Sequence, residues 1–272
     1  VPRIIERGDG RPIVVVPGIQ GRYEWGLPTV DALASLGRVV TFSLADEPTS
    51  GFAWAESAGF ENYLTQLEAV IGVTCATPPV LVGVSYGGLI AAEYAARHPG
   101  RISSLVIASS PPPSWRLPER ARRYLKAPRL MAPVFWLGAP LRTYAELKAA
   151  LPASRDRWRF VFDHGWRIAA APASSTRMVR RLRWLENARF SLDHRIDVPA
   201  LIVTGEPELE RVVPPADTLK YRAWLPDARV VTLAHTGHNG CVTRARDFAA
   251  AVAGLVADLP FPSETVRAHR VS

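Results

Sequence analysis

The stretch Val80-Leu81-Val82-Gly83-Val84-Ser85-Tyr86-Gly87-Gly88-Leu89 decides the fold. A short valine-rich run ends in a glycine-flanked serine, and a segment of helical period follows at once and runs to Arg97. His98-Pro99-Gly100 then supplies a basic residue, a proline and a glycine, which together stop a helix. A strand that turns this sharply into a helix forces its central residue into a strained backbone conformation. Glycines are needed on either side because side chains there would strike the neighbouring strand or helix. The Ser85 hydroxyl is thereby pushed into the open at a helix N-terminus, where free N–H groups and the helix dipole favour developing negative charge. The competing reading is a tight turn whose serine only caps the helix.

Outward from this turn, the same alternation recurs. Apolar or β-branched runs at Ile13 to Val16, Val39 to Phe42, Leu105 to Ala108, Leu201 to Thr204 and Val230 to Leu233 read as further buried strands. Helical periods at Phe60 to Ile71, Leu89 to Arg97 and Phe248 to Leu259 lie between or after them. Strands alternating with helices predict an α/β fold, a mostly parallel sheet covered by helices on both faces. From Pro111 to about Asp193 the rhythm is lost to prolines and to helical segments rich in Trp, Arg and Leu. The division this predicts is a core of residues 1–112 and 193–272, with a helical cap, 113–192, inserted between two strands of one sheet.

The chain has 272 residues, 48% of them hydrophobic, enough to bury a large core. No run of eighteen apolar residues occurs, and the first thirty residues lack the order of a signal peptide, so a soluble cytoplasmic protein is expected. Cys75 and Cys241 are far apart and outside any zinc spacing, and are expected to be two free thiols, buried or half-buried. The net charge of +8 is uneven: residues 113 to 192 hold 17 Lys/Arg against 5 Asp/Glu. Solvated helix faces are the plain explanation of that excess. An acidic partner or anionic substrate is the alternative. Nucleic acid is not expected, because no nucleic-acid motif accompanies the arginines.

Two further loops carry chemistry. His235-Thr236-Gly237-His238-Asn239-Gly240 follows the last apolar run, and His238, after a glycine that permits a tight turn, is the better general base. His235, close to the strand end, reads as structural. His98, His164, His194 and His269 lack such a context and read as surface or satisfied interior residues. Gly205-Glu206-Pro207-Glu208-Leu209-Glu210-Arg211-Val212-Val213-Pro214 supplies three candidate acids at a strand end, where one would hold the imidazole in its tautomer.

The order Ser85, acid loop, His238, in these three places, resembles the α/β-hydrolase superfamily over nearly the whole chain. In that family the acid commonly lies three residues after the strand-end glycine and about four before a proline. Here the loop is about two residues longer, so the first count selects Glu208 and the second Glu210. Glu210 is favoured, because Glu210-Arg211-Val212-Val213-Pro214 resembles the family's Asp-x-x-Val-Pro with Glu for Asp. The resemblance also implies an oxyanion hole from the Tyr86 N–H and a donor in Pro17-Gly18-Ile19-Gln20-Gly21, by position Ile19, with Gln20 as the weaker alternative. Pro17 there replaces the family's histidine.

What the resemblance implies about chemistry is a serine esterase working through an acyl-enzyme, with no metal or organic cofactor. Serine at the turn argues against epoxide hydrolase and haloalkane dehalogenase chemistry, which uses aspartate. The expected partner is a small-molecule ester with an apolar acyl part. Thioester or carrier-linked ester hydrolysis, C–C bond hydrolysis, acyl transfer and perhydrolysis share the same triad and stay open. The basic cap admits an acidic carrier protein as partner. A non-catalytic binding module on the same fold is the reading from a different class. The family's cap, placed between its sixth and seventh strands, governs specificity. Trp115, Trp136, Trp158, Phe160, Phe162, Trp166 and Trp184 in it are expected chiefly to pack the cap onto the core.

Overall fold

The computed structural model describes residues 3–117, 122, 130, 138, 143–191 and 194–260. Seven strands form one sheet: β1 Ile4–Arg7, β2 Pro12–Val16, β3 Arg38–Phe42, β4 Val80–Val84, β5 Ser104–Ala108, β6 Ala200–Thr204 and β7 Arg229–Thr232. Their order is β1-β3-β2-β4-β5-β6-β7, with β1 antiparallel to β3 and every other pair parallel. The fold is therefore the α/β arrangement read from the sequence. The strand missed there, β1, has only two apolar residues, and its half-buried, charged pattern suits an edge, where Glu6 pairs with Arg38 at 2.9 Å.

Alternate residues of the central strands feed opposite layers. Val14, Val16, Leu81, Leu105 and Ile107 face helices α2 (Glu61–Thr74) and α3 (Tyr86–Arg97). Ile13, Val15, Val80, Val82 and Val106 face α1 (Leu27–Leu33) and α7 (Ala245–Ala257). With both faces covered, the strands read as unbroken apolar runs.

Between β5 and β6 the described elements are all helical: a stretch over residues 143–150 (α4), α5 (Ser154–Ala170) and α6 (Ser175–Asn187). Among the described strands these are the fifth and sixth, whereas the sequence led to the sixth and seventh; β1 to β7 are numbered along this chain. The aromatic residues of the insertion divide in a way the sequence did not anticipate. Trp184 is buried, with its ring 5.6 Å from that of Tyr63, and Trp115 packs against the same core layer. Trp158, Phe162 and Trp166 are instead exposed, because α5 buries none of its residues. Trp136 and His269 lie outside the described residues.

Sheet and turn meet with no spare room. A Cβ on Gly87 would stand 2.3 Å from the Val16 carbonyl oxygen at the end of β2, and backbone lies on both sides of that contact. Gly87→Ala should destabilise the protein by roughly 1–3 kcal/mol or more. Gly254→Ala, exposed inside α7 with nothing near its would-be Cβ, should stabilise it by roughly 0.5–1 kcal/mol. Denaturant midpoints of the two variants check both signs.

Candidate active site

Ser85 follows β4 and caps the start of α3, with φ 54° and ψ −122°, a conformation at positive φ that a serine adopts only under constraint. Its N–H donates to the Ala108 carbonyl at 2.8 Å, tying the turn to the end of β5. Gly83 faces Gly88 so closely that a Cβ on it would lie 2.5 Å from Gly88 Cα. The serine is thus held between strand and helix by contacts that only glycine allows.

His238 Nε2 lies 3.0 Å from Ser85 Oγ, and its Nδ1 lies 3.3 Å from Glu210 Oε2. The structure therefore brings Glu210 to the imidazole, whereas Glu208 is exposed. The extra length of the acid loop is taken up by a turn in which the Leu209 and Glu210 N–H groups both donate to the Glu206 carbonyl. The longer side chain of glutamate folds back on itself: Oε1 accepts the N–H groups of Val212 (2.7 Å) and Val213 (3.0 Å), leaving Oε2 for the histidine. Gly237 serves less as a turn residue than as a gap, since a Cβ there would stand 2.3 Å from the Leu209 carbonyl oxygen. Gly205 faces it from the acid loop, where a Cβ would stand 2.5 Å from the Gly237 carbonyl oxygen, so the two loops approach across both glycines.

Electrostatics follow from this packing. Burial works to raise the Glu210 carboxyl, but His238 and the two backbone N–H donors outweigh it and hold the group below the ordinary carboxylate range. Burial works to lower the His238 imidazole, but the adjacent Glu210, helped by the charge of Glu146, raises it above the usual histidine value. The arrangement can take a proton from Ser85 at Nε2 while the carboxylate stabilises the resulting imidazolium.

Two residues that the sequence reading passed over belong to this site. Glu146, buried on α4, accepts the Asn239 N–H (2.8 Å) and the Asn239 Nδ2–H (3.1 Å), and so clamps the histidine loop from the insertion. Burial raises its carboxyl. Arg181, fully buried on α6, donates to Asp46 Oδ1 (2.7 Å), Glu47 Oε1 (2.6 Å) and the Ile19 carbonyl (2.6 Å). Arg177 also reaches Glu47 (3.0 Å), and Arg180 reaches Glu56 (3.1 Å). Part of the insertion's basic excess is therefore spent on core carboxylates, beside the solvated faces expected to account for most of it. The one available signal was Asp46-Glu47, two adjacent acids that follow the apolar strand ending at Phe42 after Ser43-Leu44-Ala45.

A cavity of about 280 Å³ opens beside Ser85 and His238. Ile19, Gln20, Trp25, Met178 and Val212 contribute to its wall. The Tyr86 N–H is the first of α3, where helical N–H groups have no partner within the helix. His164 also lines the cavity, stacked on Phe160 with ring centroids 5.2 Å apart. Burial, aided by Arg167, holds it down at about 4, and its buried Nδ1 finds no hydrogen-bond partner, unlike the satisfied histidine expected. His235 is exposed at φ 61°, and its N–H donates to Glu206 (2.9 Å). Cys75 is half-buried and Cys241 buried, and both are free thiols. Among the described residues no cluster of three or more His, Cys, Asp or Glu could hold a metal ion, and no helix is long and apolar enough to cross a membrane.

Comparison with known proteins agrees with this architecture. A Bacillus subtilis (strain 168) protein provisionally named 2-succinyl-6-hydroxy-2,4-cyclohexadiene-1-carboxylate synthase is 26% identical over 174 residues, a match spanning 62% of each chain. An Escherichia coli O157:H7 protein provisionally named carbamate hydrolase RutD is 23% identical over 266 residues, covering 92% of this chain and 93% of that one. Among solved structures, an esterase from Exiguobacterium antarcticum shares the fold with a TM-score of 0.74 at 17% identity, covering 94% of this chain and 95% of the other. The family model for the alpha/beta hydrolase fold matches residues 11–245, and the chain belongs to that family.

Proposed function

We propose that the protein is a serine hydrolase that cleaves a small carboxylic ester through an acyl-enzyme. The observation that carries the reading is the unbroken relay from Glu210 through His238 to Ser85, with 3.3 Å and 3.0 Å between the heavy atoms. His238 takes the Ser85 proton as Oγ attacks the acyl carbon, and the N–H groups of Ile19 and Tyr86 receive the oxygen that becomes negative. The same imidazole then protonates the leaving alkoxide. Water, deprotonated by His238, releases the acid and restores Ser85. Glu210 keeps Nδ1 protonated and stabilises the imidazolium; the acid is Glu210 and not Glu208.

The described helices of the insertion act as a cap, with Thr143, Glu146, His164 and Met178 in the wall of the cavity beside the serine. The small volume of about 280 Å³, walled largely by apolar side chains, suits a compact ester with a short acyl part. Esters and the carbamates named for the E. coli relative share an acyl carbon bearing a heteroatom leaving group, so the same relay serves both.

With p-nitrophenyl esters of increasing chain length, hydrolysis should peak between acetate and butyrate, fall sharply at octanoate, and vanish in Ser85→Ala. Turnover retained by Ser85→Ala would overturn the reading.

The shift in His238 gives a second test. His238 acts as a base only when neutral, and its raised pKa means that kcat/KM should climb with pH through a midpoint above the ordinary histidine value of about 6.5. Glu210→Gln removes the group that raises it, so the midpoint should move to lower pH while the plateau falls by on the order of 10²–10⁴. Glu208→Gln should leave both plateau and midpoint unchanged.

A further inference from the structure

The geometry points to Arg181 as a positioning residue that ties the insertion to both donors of the oxyanion hole, an assignment that rests on the serine hydrolase reading above. Its side chain is fully buried, with Nε and Nη2 directed at Asp46 Oδ1 (3.0 and 2.7 Å) and Nη2 also at Glu47 Oε1 (2.6 Å). Nη1 is not spent on a carboxylate. It donates to the Ile19 carbonyl at 2.6 Å and so fixes the backbone of the residue whose N–H is one oxyanion donor.

The second donor is reached from the other end of the same residue. The Tyr86 hydroxyl donates to the Arg181 carbonyl at 3.2 Å. The Tyr86 ring is held edge-on by Phe60 and Tyr63, with centroids 6.0 and 5.9 Å away. Tyr63 closes the circuit, because its hydroxyl donates to Asp46 Oδ1 at 3.1 Å, the same oxygen that Arg181 grips. One arginine thus spans the loop that carries Ile19 and the helix that carries Tyr86.

The loop is shaped around the guanidinium. Gly21 sits at φ 75°, and a Cβ there would lie 2.2 Å from Arg181 Nη1. The Gly21 N–H donates to the Gly18 carbonyl at 2.9 Å, closing the turn that contains Ile19, and its carbonyl accepts the Leu44 N–H at 2.8 Å. Neutralising Asp46 and Glu47 would not require contact with Ile19, and Arg22, Arg177 and Arg180 already stand within 4 Å of those carboxylates. Only a planar fork reaches two carboxylates and a carbonyl at once; a lysine ammonium carries the charge without that reach. The consequence is that the oxyanion hole is complete only when α6 is seated, so this part of the insertion governs turnover and not substrate choice alone.

The test compares wild type, Ser85→Ala, Arg181→Lys and Tyr86→Phe as full chains. It measures kcat and KM on p-nitrophenyl acetate, inhibition by phenylboronic acid, the acid limb of the pH profile and thermal midpoints. A boronic acid forms a tetrahedral anion on the serine and so reports the hole directly. Arg181→Lys should lower kcat by about 10- to 1000-fold with KM within about threefold. Boronic acid affinity should weaken in parallel, and the acid limb should stay in place because the Ser85, His238 and Glu210 contacts are untouched. Tyr86→Phe removes one bond without disturbing charge, and should lower kcat by about threefold or more with the same signature; it carries the test if Arg181→Lys does not fold. Wild-type kcat in Tyr86→Phe or in folded Arg181→Lys, whatever the thermal midpoint, would reduce Arg181 to a charge neutraliser and overturn the assignment. A rise in KM at constant kcat would overturn it as well. If wild type and Ser85→Ala hydrolyse the ester equally, the hydrolase reading itself falls, and this assignment falls with it.

Discussion

The structure depends on the close approach of backbone to backbone where β4 gives way to α3. Gly87 lies against the end of β2, Gly83 lies against Gly88, and Ser85 is left in a conformation at positive φ between them. Strain of this kind, about 1–3 kcal/mol, persists only where the surroundings overdetermine it. Here the parallel pairing of β4 with β2 on one side and β5 on the other provides that, together with the Ser85 N–H bonded to the Ala108 carbonyl. The serine hydroxyl is presented because the backbone has no other way to pass.

A second constraint holds the insertion on the core. Arg181, Asp46 and Glu47 are all buried, and taking one member from such a group weakens the pairing of the buried charges that remain, at a cost of up to about 3–5 kcal/mol. Glu146 makes a separate link, from α4 to the histidine loop through Asn239. The insertion is therefore tied both to the loop that carries Ile19 and to the loop that carries His238. The apolar contact of Trp184 with Tyr63 adds area beside the first. The exposed face of α5 plays no part in this anchoring.

What the sequence made legible was local. Six strands, three helices, the serine turn and the histidine loop are each written in ten or so consecutive residues, where periodicity and glycines speak directly. The choice between Glu208 and Glu210 was not legible from spacing alone, because it depends on the turn at Glu206 to Glu210 and on a side chain that folds back to Val212 and Val213. Arg181 and Glu146 were invisible for a different reason. Their partners lie 134, 135 and 162 residues away for Arg181 and 93 for Glu146, and a buried arginine looks like its solvated neighbours until the fold closes. The edge strand β1 escaped because only two of its residues are apolar, and the outward aromatics of α5 escaped because their residue type suggests burial.

If Ser85 is the nucleophile of the proposed hydrolase, it becomes covalently acylated during turnover. Rapid acid quench of the enzyme with p-nitrophenyl butyrate, followed by intact and peptide mass spectrometry, tests it most directly. One butyryl group per chain, on the peptide containing Gly83 to Gly88 and located at Ser85, is the predicted result. Turnover without any adduct, or an adduct on another residue, would contradict the account.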